Sequence, residues 1–267
     1  MTGLLPLLLP ALRAARRAAV WWSVALAVLV AATVAFWPAF KGASGISDAI
    51  GNLPPTVIDA FGLRDFGTPA GFLRGNLYEL FVPLLLSIAA VALVNGQTAA
   101  DETAGRLEIP LSQPVARRAL FLARALACLT AVAAIAVVTI VVQIVFDNLV
   151  GLSIEAQRVV ATAILCGLLA GVHGSVAYAI ACLVARPSLV LAAGVGLTIG
   201  GYIVAALFPI STILEPWRVI SPWSWALGSD PLVNGAEPWR FGLLAAVTAA
   251  ALVAGTMVVA RRDVAAA

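Results

Sequence analysis

Residues 99–118 read AADETAGRLEIPLSQPVARR and form a charged island in a chain that is otherwise apolar. Acidic residues stand near the start of this island, basic residues stand at its end, and Arg124 follows just beyond it. The charged side chains of the island are Asp101, Glu102, Arg106, Glu108, Arg117 and Arg118. Long apolar runs lie on both sides. A polar connector between two such runs must project into water on one face of a lipid bilayer.

The composition excludes an ordinary soluble domain. Of 267 residues, 62% are hydrophobic and 11% are charged, whereas soluble domains carry about 25% charged residues. The formal net charge is only +3, and the arginines stand at the ends of apolar runs. We therefore interpret the basic excess as membrane topology and not as nucleic-acid binding. The three cysteines have a spacing that suits neither a zinc site nor a disulfide framework.

Six apolar runs are long enough to cross a bilayer as helices, which takes about 20 residues. They cover residues 19–38, 77–98, 119–146, 158–184, 188–208 and 241–260. A helix satisfies its own backbone hydrogen bonds in lipid. The sequence therefore predicts an all-α integral membrane protein with six transmembrane helices, and residues 1–267 form a single transmembrane domain.

The first 18 residues are predicted to form a separate amphipathic elbow helix on the membrane surface. Pro6 and Pro10 interrupt a simple spanning pattern there. Arg13, Arg16 and Arg17 then precede the first long apolar run, where they would face lipid phosphates.

Arginine placement predicts the orientation. If the N-terminus is cytoplasmic, ten basic residues fall on the cytoplasmic side and six on the outer side. The pairs Arg16-Arg17, Arg117-Arg118 and Arg261-Arg262 then share the cytoplasmic side. The positive-inside rule favours this arrangement. We expect a multi-pass protein of the cell inner (plasma) membrane with both termini in the cytoplasm.

A longer motif runs through the island with the pattern E-x-x-G-x-L-E-x-x-L-S-x-P-V-x-R, from Glu102 to Arg117. It follows the segments LPPTVIDAFGL at residues 53–63 and GTPAGFLRGNLYELFVPLLL at residues 67–86. Near the end, SPWSW at residues 221–225 precedes the last span and RRD at residues 261–263 closes it. With these motifs in this order, nearly the whole chain resembles the membrane-spanning permease subunit of bacterial type-2 (exporter-type) ABC transporters.

The resemblance implies that the island is a coupling helix between spans 2 and 3 that contacts a cytoplasmic ABC ATPase. The residues it assigns to this contact are Asp101, Glu102, Gly105, Arg106, Leu107, Glu108, Leu111, Pro114, Arg117 and Arg118. It also implies two ATPase copies and a second permease subunit, as a homodimer or a heterodimer. ATP and Mg would be bound by the ATPase, so this chain would need no cofactor or metal of its own.

The residues of the island also have a physical interpretation without the resemblance. Gly105 permits a tight turn. Leu107 and Leu111 are four residues apart, so on a helix they share a face that can dock in a groove. Pro114 would stop that helix. From the residues alone, a solvated loop with topogenic arginines stays equally open.

A few polar side chains fall within the spans and are candidates for a transport pathway. His173, Gln143 and Asn95 are the candidates, and His173 is the only histidine of the chain. A neutral histidine that hydrogen bonds between packed helices is the alternative that we prefer for His173. The tryptophans near the last span suit the aromatic belt at the lipid headgroups, although ligand stacking is also open.

The chain contains no G-x-x-x-x-G-K-[ST] motif, so we expect it not to be an enzyme. The expected function is export of a hydrophobic compound, such as a drug, polyketide or lipid, by alternating access driven by the separate ATPase. An ATP-independent channel or secondary transporter, or a non-transporting membrane scaffold, is the alternative.

Overall fold

The computed structural model describes residues 4–41, 51–54, 57–58, 65–112 and 115–262. All regular secondary structure within these ranges is helical. The twelve α-helices that we label are α1 Leu4–Ala35, α2 Trp37–Lys41, α3 Pro69–Leu73, α4 Phe81–Gln97, α5 Ala99–Thr103, α6 Glu108–Leu111, α7 Arg117–Val150, α8 Ala156–Leu183, α9 Pro187–Leu207, α10 Pro222–Leu227, α11 Pro231–Asn234 and α12 Pro238–Val259. A π-helical turn, Arg74–Tyr78, and two 3-10 turns, Phe208–Ile210 and Glu215–Ile220, complete them.

Six helical segments are long and apolar enough to cross a membrane, which confirms the predicted six spans. They are Leu4–Lys41, Pro69–Thr103, Arg117–Val150, Ala156–Leu183, Pro187–Ile210 and Pro238–Val259. The last four begin and end within about four residues of the predicted runs. The first two segments begin well before the predicted runs, because additional helical turns precede each of them.

The predicted elbow is not a separate helix, because α1 continues from Leu4 to Ala35 without a break. Pro10 lies inside it and removes one hydrogen bond, to the carbonyl of Pro6. Ala11 and Ala15 are buried, and the Gln97 side-chain amide donates to the Ala11 carbonyl over 3.2 Å. This packing holds the first turns of α1 against the bundle, so the prolines do not bend them away.

The second span is a composite of helical pieces. Thr68 caps α3 by accepting from the Gly71 N–H at 3.1 Å, with Pro69 in the first turn. The π-helical turn follows, and the Glu79 N–H donates to the Arg74 carbonyl at 2.8 Å, five residues back. Regular helix resumes at Phe81. Broken backbone at membrane depth is tolerated where it is buried in protein or lines a cavity.

The helices α4 and α8 form the buried centre of the bundle, and α1 and α12 lie at its edges. α8 packs against α4, α7, α9 and α12, while α1 runs along α7. Small residues permit the close approach: a Cβ on Gly174 would lie 3.1 Å from the Ala90 Cβ, and one on Gly255 would lie 3.0 Å from the Ala179 Cα. Close backbone contact of this kind is how helices associate in lipid.

Both described chain ends lie at the same end of the bundle, which we call the loop end because it also carries residues 99–118. Here Arg262 contacts Glu102, and Arg117 donates to the Arg262 carbonyl over 3.2 Å. The opposite end, the far end, carries residues 65–79 and 208–240, where Arg74 pairs with Asp230 at 3.1 Å.

Candidate functional site: the loop between the second and third spans

The turn after α5 is a Schellman motif centred on Gly105. The Arg106 N–H donates to the Asp101 carbonyl at 2.9 Å, and the Gly105 N–H donates to the Glu102 carbonyl at 3.1 Å. Gly105 has φ +68°, in the left-handed region that glycine adopts without cost. The predicted tight turn at Gly105 is therefore present, and α6 begins three residues later at Glu108.

Asp101 ties this turn to the third span. Its carboxylate accepts from Arg106 Nε at 2.7 Å, within the turn, and from Arg124 Nη1 at 2.6 Å, on α7. The same Arg124 nitrogen donates to the Gln97 carbonyl at 2.5 Å. Arg124 and Asp101 are largely buried, so these charge-assisted bonds lie in a low dielectric, where they are strongest.

Glu102 ties the turn to the end of the last span. The Glu102 side chain is buried, and both of its carboxylate oxygens accept from Arg262 Nη2, with Oε1 at 2.6 Å. Arg262 Nη1 also donates to the Ala181 carbonyl at the end of α8, over 3.3 Å. Asp101 thus bonds the loop to α7. Glu102 bonds it to Arg262, just after α12, and Arg262 in turn bonds to α8.

Four of the six charged side chains of the loop are exposed, whereas Leu107 is buried. Leu107 is only 2% exposed and packs in the main core, so the expected docking face of Leu107 and Leu111 is wrong for Leu107. A four-residue spacing puts two side chains on one face but does not say which face meets water. The loop residues that the structure describes as exposed are Thr103, Ala104, Arg106, Glu108, Ser112, Ala116, Arg117 and Arg118. Pro114 and the side chain of Leu111 lie outside the described residues.

The first arginines also face outward at the loop end. Arg13, Arg16 and Arg17 are exposed on α1, on the other side of the helix from the buried Ala11 and Ala15. They therefore extend the basic character of this end of the bundle. Their expected contact with lipid phosphates stays a prediction.

The three predicted pathway residues lie at different depths. His173 on α8 is buried, and its Nδ1 lies 3.0 Å from the Ser87 hydroxyl on α4. Gln143 on α7 accepts from the Tyr78 hydroxyl, and Asn95 lies two residues before the end of α4. Gln143 contacts the second span at Tyr78, His173 contacts it at Ser87, and Asn95 belongs to it. At a rise of 1.5 Å per helical residue, neighbouring positions among these three are about 12–14 Å apart along the span. The structure does not bring them together.

The far end carries charged residues that sequence reasoning missed as a group. Five charged side chains line one cavity of about 370 Å³ there: Arg74, Glu79, Glu215, Arg218 and Asp230. Tyr202 and Trp223 also line it. Glu79 lies inside a predicted span, in the run NLYELFVPLLL. An acidic residue within a span was the signal that should have drawn attention to it.

No metal site is visible within the described ranges, which hold no group of three or more His, Cys, Asp or Glu side chains suited to a metal ion. The cysteines Cys128, Cys166 and Cys182 are buried free thiols.

A comparison with known protein families finds no match to this chain, and a comparison with curated proteins finds none either.

Proposed function

We propose that this chain is the membrane-spanning subunit of an ATP-driven exporter, and that a separate cytoplasmic ATPase acts on residues 99–118. One observation carries the proposal. The loop exposes charged side chains to water while buried ion pairs bond it to several spans at once. A solvated linker needs no such anchoring, whereas a segment that transmits a push does.

The anchoring has a mechanical consequence. A force on the exposed side of the loop reaches α7 through Asp101–Arg124 and reaches the ends of α8 and α12 through Glu102–Arg262. Separating either pair would leave a largely buried charge without its partner, which is unfavourable, so the loop and the spans are expected to move together. In the proposed cycle, ATP closes two nucleotide-binding subunits, each loop moves with them, and the spans tilt between two states.

In this proposal the ATPase is a separate chain. The printed sequence has no phosphate-binding P-loop motif, and ATP and Mg would bind to the partner. The segments between the candidate spans are each shorter than the roughly 50 residues of a small domain. Six spans would make half of a transporter, completed by a second permease subunit, identical or related. Cytoplasmic placement of the loop follows from its arginines and belongs to the same proposal.

An apolar groove supports a hydrophobic cargo. It has a volume of about 390 Å³ and lies between α7, α8 and α12. Its walls include Leu129, Ile140 and Leu252, and the Thr248 hydroxyl is among its few polar groups. Small-molecule sites are typically concave and mostly apolar, with a few polar groups that orient the ligand.

The experiment is to purify the tagged chain from its native membrane in mild detergent and to measure Mg-ATP hydrolysis. We expect a copurifying ATPase subunit and hydrolysis that this chain alone lacks. Charge reversal of exposed loop residues, Glu108→Arg or Arg118→Glu, should reduce both copurification and hydrolysis. Neither side chain makes a hydrogen bond or ion pair within the described residues, so the effect would not come from lost internal contacts. Glu237→Arg reverses an exposed carboxylate at the far end and serves as the control.

Two results would contradict the proposal. One is transport against a gradient by the reconstituted chain without any other subunit, which would favour a secondary transporter. The other is an assembly without ATP hydrolysis in which both loop variants behave like the original protein, which would favour a scaffold.

A further inference from the structure

The cavity at the far end is a built site and not a gap between helices. One wall is the π-helical turn, where the i to i+5 bond between Arg74 and Glu79 brings these two residues to the same side of the broken second span. π-helical turns within helices occur frequently at functional sites. The volume of about 370 Å³ falls within the range of small-molecule sites, roughly 300–1,000 Å³.

Among the described residues, the charged side chains that line the cavity do not balance. Three carboxylates face two guanidinium groups. Asp230 pairs with Arg74 at 3.1 Å, and Glu215 and Arg218 lie together on one exposed 3-10 turn. The remaining carboxylate is the half-buried Glu79. Within the described part of the chain its side chain makes no hydrogen bond or ion pair, and the nearby guanidinium that acts on it, that of Arg74, is also paired with Asp230. A partly desolvated carboxylate that shares its guanidinium with another carboxylate favours a further cation.

The other wall is aromatic and fixed. The rings of Tyr202 and Trp223 lie 5.2 Å apart. The Trp223 indole donates to the Thr198 carbonyl at 3.0 Å, and its backbone N–H is capped by the Ser221 hydroxyl at 3.2 Å. Glu79, Tyr202 and Trp223 line the same cavity, and a carboxylate together with aromatic rings is a combination that recognises organic ammonium ions, which ring faces attract electrostatically.

From these contacts we propose that the far-end cavity binds an organic ammonium group, with Glu79 as its counter-charge and Tyr202 and Trp223 as its aromatic wall. An anion would meet the excess negative charge. A metal ion would need a set of three or more ligating side chains, which the described residues do not supply here. The inference does not rest on the proposed function, because binding is measured without any ATPase.

Two sources can supply the ammonium group: a free amine, or the headgroup of an aminolipid. Exposed tryptophans at this end, Trp217 at 60% and Trp239 at 56% exposure, are typical of the headgroup level of a bilayer. The test therefore has one arm for each source.

In the first arm, the full chain in nanodiscs of phosphatidylglycerol alone is titrated with choline by calorimetry. The matched control ligand is 3,3-dimethylbutan-1-ol, which has the shape of choline without its charge. In the second arm, the headgroup retained on the protein is identified by native mass spectrometry after purification from mixed phosphatidylethanolamine and phosphatidylglycerol. We expect saturable binding of choline but not of the alcohol, or selective retention of the aminolipid.

Glu79→Gln keeps the shape of the side chain and removes its charge, so it should weaken binding at least tenfold. Glu237→Gln removes another far-end carboxylate, outside the cavity lining, and should leave binding unchanged. Tyr202→Leu provides a second test of the cavity should Glu79→Gln assemble poorly, and should weaken binding severalfold. The proposal is overturned if neither source binds, if choline and the alcohol bind alike, or if a well-folded Glu79→Gln protein binds as tightly as the original.

Discussion

The carboxylate of Glu102 on α5 and the guanidinium of Arg262 beyond α12 form a buried ion pair, with Oε1 2.6 Å from Nη2, although 160 residues separate them in the chain. Glu102 is 5% exposed. This pair joins the loop between the second and third spans to the end of the last span. The Glu102 carboxylate therefore binds a residue of its own chain, whereas we predicted from the sequence that it contacts the ATPase.

Glu102→Gln should destabilise the protein strongly, because it leaves the Arg262 guanidinium without its counter-charge. We expect a loss of about 3 kcal/mol, the lower end of the range for a broken buried pair, since the Arg262 side chain is 18% exposed. Thermal unfolding in one detergent measures the change. The control Glu237→Gln removes a half-exposed carboxylate from Arg240, which keeps its bonds to the Ser224 and Trp225 carbonyls, and should cost about 0–1 kcal/mol. Equal losses for both variants would contradict the role of this pair.

The conformation of Gly105 predicts a second stability difference. Gly105→Ala places a side chain at φ +68° and should cost about 1–2 kcal/mol, whereas Gly105→Asn should cost less. Gly96→Ala lies in regular helix with no heavy atom within 4 Å of the new Cβ, so it should stabilise by about 0.5–1 kcal/mol. Thermal unfolding midpoints of the three variants, measured in the same detergent, distinguish these effects. A Gly105→Ala protein as stable as the original would argue against the Schellman turn.

His173 is expected to serve in packing, as its bond to Ser87 across α4 and α8 suggests. His173→Asn or His173→Gln should therefore retain much of the activity. Ser87→Ala should cost about 1–3 kcal/mol, because it leaves a buried ring nitrogen without its partner. Ser175→Ala, whose hydroxyl bonds to Val172 of its own helix at 2.9 Å, is the control. Complete loss of transport in both His173 variants, with normal assembly, would place His173 in the pathway.

The sidedness of the bundle is testable with two exposed positions. Ala104→Cys lies at the loop end and Glu237→Cys at the far end, in a protein whose three buried cysteines are replaced by alanine. In intact cells, a membrane-impermeant maleimide should label position 237 and not position 104. The reverse pattern would mean that the arginine distribution predicts the wrong orientation.

The six spans were predictable because lipid leaves the backbone few alternatives to helix. Composition alone therefore located the last four spans closely. The turn at Gly105 was predictable for a related reason, since few other residues adopt its conformation. Both predictions depend on local rules that tertiary contacts do not overturn.

Other features depend on contacts that no local pattern contains. Pro10 indicated an elbow, but Gln97 holds that part of α1 in place. The spacing of Leu107 and Leu111 did not tell whether their shared face meets water or the core. The π-helical turn at Arg74–Tyr78 has no sequence signal that we recognise, so the cavity beside it was missed. The partner of Glu102 lies too far along the chain for any motif to supply it.

The most direct test of the proposed function is photo-crosslinking from the exposed loop. A benzoylphenylalanine at Glu108 should crosslink to a nucleotide-binding subunit in native membranes, and ATP should change the yield. The same probe at Trp239, exposed at the far end, should not reach that subunit. Absence of any crosslink from position 108, or equal crosslinking from both positions, would contradict the claim that an ATPase acts on this loop.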